Sequence, residues 1–233
     1  MPNNISNALT VIASNAVKEA LAELVPGFAK ASGHAVTVIW GGTLDISKRI
    51  RDGEVVDIVI LGADRIDDFI RQGRLTAGSR VDIACSGIGV AVQAGARRPD
   101  ISSAAALKAS LLAASSIVLS SGPSSVYLAG LFQRMGIADA IRSKTIQIGP
   151  GLPVGKAVAN GEGEIGFTQV SELLSADGID YVGPLPADVQ HVTMFSAGIH
   201  AAAPAPDAAK ALIGFLTGPQ AAAVIRHSGM EPA

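Results

Sequence analysis

Residues 34–61, HAVTVIWGGTLDISKRIRDGEVVDIVIL, decide the fold. HAVTVIWG reads as a strand that runs into Gly41-Gly42. GTLDISKRIRDG reads as a helix that stops near Gly53. VDIVIL is a short, continuous apolar run, the pattern of a strand buried on both faces. Strand, helix and strand in that order form the crossover unit of a parallel sheet, and hence an α/β fold.

The alternation continues outward. Upstream, ALTVIAS is a strand and Asn15 to Lys30 a helix, with Ala16, Ala20, Leu21 and Leu24 at helical spacing. Downstream, ADRIDDFIRQG is a helix ending at Gly73. VDIACSGIGVAVQAG follows as a long extended segment. After it come a helix around SAAALKASLLAA, the strand SIVLS and a helix from Val126 to Met135. TIQIG, VGKAVANG, EIGFTQ and VSELLSA then alternate strand and helix. A second extended stretch, IDYVGPLPADVQHVTMFSAGIH, precedes two terminal helices split at Gly218-Pro219. Two long extended segments suit a chain that crosses from one lobe to another and back. The expected division is residues 1–83 with 190–233 as one lobe and 84–189 as the other, with mainly parallel sheets joined by two crossover strands. The same pattern also fits one continuous sheet with two long edge strands.

Composition limits the function. The 233-residue chain is 48% hydrophobic and 16% charged, enough for a sizeable core. A net charge of -2 with scattered basic residues excludes a nucleic-acid face, and aromatics at 4% exclude a stacking platform. Cys85 is the only cysteine, so no internal disulfide or cysteine metal cluster is expected, and Cys85 reads as a buried small hydrophobe. The longest apolar run near the start, ALTVIA, is shorter than the roughly 7 residues of a signal-peptide core. The expected location is cytoplasmic if Met1 is the native start and periplasmic if a signal was removed ahead of it. No stretch reaches the roughly 18 apolar residues of a membrane span.

Four strand-to-helix junctions share one design. ASNAVKEAL offers Ser14 or Asn15 as a cap. WGGTLDI places two glycines before Thr43. SSGPSSVYL, starting at Ser120, has four serines and no charge, and GPGLPVGKAV has Pro153 as the expected first helical residue. Free backbone N–H groups and small hydroxyls at helix N-termini suit an anion. Donors without acids or bases suit a ligand that already carries its own charge. Each turn alone is also a plain helix cap; four in one chain favour the anion. No phosphate-loop or dinucleotide pattern is present, and no cofactor is expected.

The histidines, His34, His191, His200 and His227, are scattered without ligand spacing and read as surface or packing residues, so no metal is expected. Asp64 reads as a helix cap. Trp40, before Gly41, either walls the site or packs in the core. Tyr127 offers a phenolic hydroxyl just after the serines, and Glu172 lies on a helix just past a strand.

These segments resemble the molybdate-binding family of bacterial solute-binding proteins, which have the type 2 periplasmic-binding-protein fold. The matching stretches are VIASNAVKEAL, GGTLDISKRIRDGEVVDIVILGAD, GPSSVYLAGLFQRMGI, GLPVGKAVANGEGEIGFTQVSEL and GFLTGPQAAAVIRHSGM, in order over nearly the whole chain. The resemblance implies two α/β lobes with a small anion held between them. Its anion contacts would fall at Ser14, at Gly41-Gly42 with Thr43, at Ser124 with Ser125, and near Val154. Asn15, Tyr127 and Gln169 join the candidate set. The chain departs from the family where Gly41 or Gly42 replaces a serine and where Gln169 replaces a tyrosine. Both departures point from molybdate toward a small organic acid. The function this implies is anion capture for an ABC importer, with a transporter membrane subunit as partner. The alternative is a cytoplasmic isomerase of an unsaturated acid such as aconitate, with Glu172 and Tyr127 as its proton-carrying candidates.

Overall fold

A computed structural model describes residues 8–149 and 152–233. The Pro150-Gly151 part of the fourth turn lies outside the described residues. β1 (Leu9–Ser14), a 3-10 turn at Asn15–Val17 and α1 (Lys18–Ser32) open the chain. β2 (Val36–Gly41), α2 (Thr43–Arg51), β3 (Ile58–Gly62) and α3 (Ala63–Arg71) follow. β4 (Val81–Gln93) leads to α4 (Ala104–Ala113), β5 (Ile117–Leu119), α5 (Pro123–Arg134) and α6 (Ala138–Ile141). Next are β6 (Thr145–Gln147), α7 (Val154–Ala159), β7 (Ile165–Gln169), α8 (Val170–Leu174) and β8 (Ile179–Pro184). β9 (Val192–Ile199), α9 (Pro206–Leu216), α10 (Pro219–His227) and β10 (Glu231–Pro232) complete it. This is the mixed α/β architecture that the alternation implies. The chain forms two compact units, Met1–Cys85 with Met194–Ala233, and Ser86–Thr193. It leaves the first unit along β4 and returns along β9, changing unit after Cys85 and after Thr193.

In the first unit β2, β1 and β3 are parallel, and β9 runs antiparallel beside β3. Side chains alternate across the sheet, as a period of two requires. Leu9, Val11 and Ala13 of β1 with Ile58 and Ile60 of β3 pack under α1, α9 and α10. Ile12, Val59 and Leu61 face the other way, onto Ile46 and Ile50 of α2 and Ile66 and Phe69 of α3. Covering both faces explains why β3 is apolar throughout. Asp57, 3% exposed, is the polar exception just before β3. Its carboxylate accepts from the N–H of Thr10 at 2.8 Å and of Ala205 at 2.9 Å, pinning β1 and the start of α9 to one point.

In the second unit β7, β5 and β6 are parallel, and β4 runs antiparallel to both β7 and β8. Ile117, Leu119, Ile165 and Phe167 pack with Leu107, Leu128 and Phe132 of the helices on one face. Val118 faces Val154 and Val158 of α7 on the other. Gly166 lets α7 lie close on β7: a Cβ there would stand 2.5 Å from Val158 Cγ2.

Three elements differ from the expectation. α5 starts at Pro123, three residues before Val126, because Pro123 supplies a preset φ at the first helical position. The second extended stretch divides into β8 and β9, separated by a 3-10 turn at Ala187–Val189 that follows Pro186. Pro153 is not helical: it keeps an extended backbone (φ -72, ψ 135) and α7 begins at Val154.

Candidate functional site

The parallel strands bring the candidate turns of each unit to one sheet edge. In the first unit Ser14 pairs with Gly41, and Ala13 with Ile60. The carboxyl ends of β1, β2 and β3 therefore lie side by side, each feeding a helical segment. Ser14 is 5% exposed and caps the Asn15–Val17 turn, its Oγ accepting from Ala16 N–H at 3.3 Å. Asn15 beside it is half-buried. Gly42 is the extended cap residue of α2 and offers no side-chain cap. Thr43, the first helical residue, is 8% exposed, and its Oγ1 has no hydrogen-bond partner among the described residues. Gly41 fits tightly: a Cβ would stand 3.0 Å from Ile46 Cγ1 and 3.1 Å from Asp45 Oδ2, so a side chain there needs its neighbours to give by a few tenths of an ångström. The same distances place the Asp45 carboxylate, close behind Thr43 in the sequence, at this turn.

In the second unit Leu119 pairs with Phe167, so Ser120 follows β5 beside Thr168, which stays in β7 opposite Gly89 and is fully buried. The serine turn is largely self-satisfied. Ser120 Oγ shares a hydrogen bond with Ser124 Oγ at 2.9 Å and accepts from Gly122 N–H at 3.1 Å. Ser125 Oγ donates to the Ser120 carbonyl. All three serines are buried. Ser120 is the hub of this cluster, and its place at the end of β5 was the signal that could have found it. Val154, buried at the start of α7, is reached through an aliphatic side chain only by its backbone.

Two candidates are engaged elsewhere in the second unit. The Tyr127 hydroxyl donates to Val189 C=O at 2.9 Å, and its ring stacks on His191 at 4.5 Å. Gln169 is 1% exposed. In the amide orientation that satisfies every neighbour, its Nε2 donates to the carbonyls of Ser86 (3.0 Å) and Gly87 (3.2 Å), and its Oε1 accepts from Thr193 Oγ1 at 3.2 Å. Gln169 thus holds the second-unit ends of both crossing strands. Gln190 adds to this, its Oε1 accepting from Ile88 N–H (2.9 Å) and its Nε2 donating to Ile88 C=O (3.0 Å), as a neighbouring strand would.

Glu172 lies in the first turn of α8, half-buried, with Oε1 accepting from Thr168 Oγ1 at 2.9 Å. Burial pushes its carboxyl above the ordinary range, against the lowering effect of the Thr168 hydroxyl and Gln169 N–H. Beside it Ser171 is buried, and its Oγ is unpartnered among the described residues.

Several readings resolve as structure. Asp64 is exposed at the second residue of α3, behind the Gly62 cap, and is not itself a cap. Trp40 packs against the α1–α9–α10 core. Cys85 is half-buried rather than buried, and burial raises its thiol pKa. Among the described residues no group of His, Cys, Asp and Glu is arranged to hold a metal. No single described helix is long and apolar enough to cross a membrane. A groove of about 570 Å³ in the first unit lies between Thr76–Val81 and α9. It reaches Ile199, which pairs with Ile58 at the amino end of β3, so it sits at the opposite sheet edge from Ser14 and Gly41.

The comparisons with known proteins agree with this layout. An aconitate isomerase from a Pseudomonas species is 35% identical over 230 residues, covering 96% of this chain and 87% of that protein. The periplasmic molybdate-binding protein of Azotobacter vinelandii superposes with a TM-score of 0.77 at 22% identity, covering 95% of this chain and 98% of that one. A sulfate-binding protein of Mycobacterium tuberculosis reaches the same TM-score, 0.77, at 16% identity, covering 97% and 87%. At such identities the structures speak for the fold: α/β, two lobes, two crossing strands. The sequence pattern of the bacterial extracellular solute-binding proteins matches residues 9–231. On that match, which spans nearly the whole chain, the chain belongs to the bacterial extracellular solute-binding protein family.

Proposed function

We propose that the protein captures a small organic anion with two or three carboxylates, held by uncharged donors at the strand-to-helix turns of both units. The donors in the first unit are Ser14, Asn15, the Gly41-Gly42 backbone and Thr43. Those in the second are Ser124 and the Val154 amide, with Ser125, Tyr127 and Gln169 as supports behind them. The observation that carries the reading is Thr43 Oγ1, a buried hydroxyl without a partner among the described residues, at the N-terminus of a nine-residue helix. Leaving such a group unpaired costs about 1–3 kcal/mol. A ligand oxygen placed there removes that penalty and meets the positive end of the helix dipole. Carboxylates are favoured over inorganic oxyanions by the 35%-identical relative, whose name is that of an enzyme acting on a tricarboxylate.

Calorimetry and thermal unfolding test this. The panel is cis- and trans-aconitate, citrate and malate against molybdate, tungstate, sulfate and phosphate. A bound carboxylate at about 100 times its Kd stabilises by roughly 2.7 kcal/mol, raising the midpoint by about 5–10 °C for a chain of this size. A response to the inorganic ions alone replaces carboxylate with oxyanion as the ligand. Silence across the panel removes the reading. Capture without chemistry implies hand-over to the membrane subunits of an ABC importer, which reconstituted uptake with those subunits checks.

The same relative favours a second reading, that the bound acid is isomerised. Incubation with cis- or trans-aconitate, followed by proton NMR, decides it: the appearance of the other isomer supports catalysis, and an unchanged spectrum leaves capture alone.

A further inference from the structure

Glu172 is an acid without a counter-ion. Four residues after Thr168, it turns back onto that threonine, whose Oγ1 donates to Oε1 at 2.9 Å. Thr168 is the neighbour of Ser120, because β5 and β7 are parallel with Leu119 opposite Phe167. The carboxyl is therefore tethered to a fully buried residue of β7, one position before the carboxyl end of that strand at Gln169. The elements packed on α8 are β7, α7, β8 and, through Gly89, β4. Their titratable groups are Lys156 of α7, Asp180 and Tyr181 of β8, and Asp82 and Cys85 of β4. None of these forms an ion pair or hydrogen bond with Glu172 among the described residues. Ser171 Oγ, beside it in the chain, is buried and unpartnered among the described residues. An acid in such a place, with burial raising its pKa, is a poor structural element and a well-tuned proton carrier.

Resting on the isomerase reading above, we propose that Glu172 carries the proton of an allylic rearrangement in a bound propene-tricarboxylate. The carboxylate takes a proton from the methylene carbon. The electron pair of that C–H bond forms the new C=C bond to the central carbon. The old C=C bond opens, and its outer carbon takes a proton back from Glu172. One C–H bond breaks and one forms, the double bond moves by one position, and no oxidant, reductant or net proton is needed. The negative charge that passes through the three-carbon unit falls on carboxylates already held by uncharged donors.

The test compares the whole wild-type protein with Glu172→Gln and Thr168→Val on trans-aconitate, read by proton NMR in D2O and by calorimetry. The wild type is expected to form the cis isomer and to exchange the methylene proton for deuterium. Glu172→Gln is expected to bind trans-aconitate within about threefold of wild type while isomerisation and exchange fall at least about 100-fold, the usual size of an acid–base contribution. Thr168→Val keeps the carboxyl and removes the hydrogen bond that favours its charged form, so the pH–rate profile is expected to shift upward. A silent wild type overturns the isomerase reading and the proposal with it. An active wild type with an active Glu172→Gln variant overturns the proposal alone. So does a Glu172→Gln variant that loses binding as much as turnover. If Glu172→Gln does not fold, an unshifted profile in Thr168→Val overturns it instead.

Discussion

Thr43 and Asp45 share one helical turn and pull on an anion in opposite directions. The Thr43 hydroxyl is buried and unpartnered among the described residues, and Asp45 sets a carboxylate against Gly41. Thr43→Val keeps the shape and removes the orphaned group. The free protein is therefore expected to be as stable or about 1 kcal/mol more stable in urea denaturation, because no buried donor is left unmade. The same variant is expected to bind its carboxylate about 10- to 100-fold more weakly by calorimetry, the loss of one charge-assisted hydrogen bond. A parallel loss of stability and affinity would make Thr43 a packing residue. Asp45→Asn preserves size and removes a like charge near the ligand, so affinity is expected to rise by about three- to tenfold. Unchanged affinity would place the ligand beyond the reach of this turn.

At the scale of elements, the junction between β9 and α9 carries a pH dependence. His200 is 7% exposed, and its Nδ1 accepts from Ala202 N–H at 3.1 Å. Burial, with the Arg74 guanidinium as a smaller cause, holds its pKa below the ordinary 6.5. The folded state therefore prefers the neutral ring. Its contribution is fully present above pH 6.5 and is lost as pH falls from there through the depressed value. Thermal midpoints are expected to fall between pH 7 and 5, and the fall is expected to flatten in His200→Asn. Parallel curves for the two proteins would assign the acid sensitivity elsewhere. The strands and helices of this fold were legible because apolar period and glycine stops are local. VDIVIL could only be a buried strand, and GTLDISKRIRDG ended where Arg51 gives way to Gly53. The first turn of α5 was less legible, because its Pro-Ser-Ser start carries no apolar period and only Pro123 marks it as helical. The division of the second extended stretch into β8 and β9 depends on partners in β4 and β3 that are distant in sequence. The places of Ser14, Thr43 and Ser124 at the starts of helical segments were legible because they follow from local sequence. The engagement of Gln169 with Ser86, Gly87 and Thr193 was not, because those residues meet only after the sheet has formed.

For the molecule as a whole, a net charge of -2 and the proposed donors, dipoles rather than lysines or arginines, set the expected response to salt. Screening acts on separated charges and hardly on hydrogen bonds at contact distance. The Kd for a carboxylate is expected to change less than about threefold between 50 and 500 mM NaCl, whereas a site built on cations weakens much more. Steep salt dependence in calorimetry would reveal basic side chains in the ligand's shell. The two-unit layout has a further consequence, for biosynthesis. Everything in Ser86–Thr193 has been translated before Met194 joins the chain. The first unit, by contrast, needs Phe195, Leu212 and Ile225 in the same core as Leu9 and Val11. On the ribosome the inserted unit can mature while its host is still waiting for its closing strand. The host's opening strands remain unshielded for that interval, the stage at which a chaperone would be most needed.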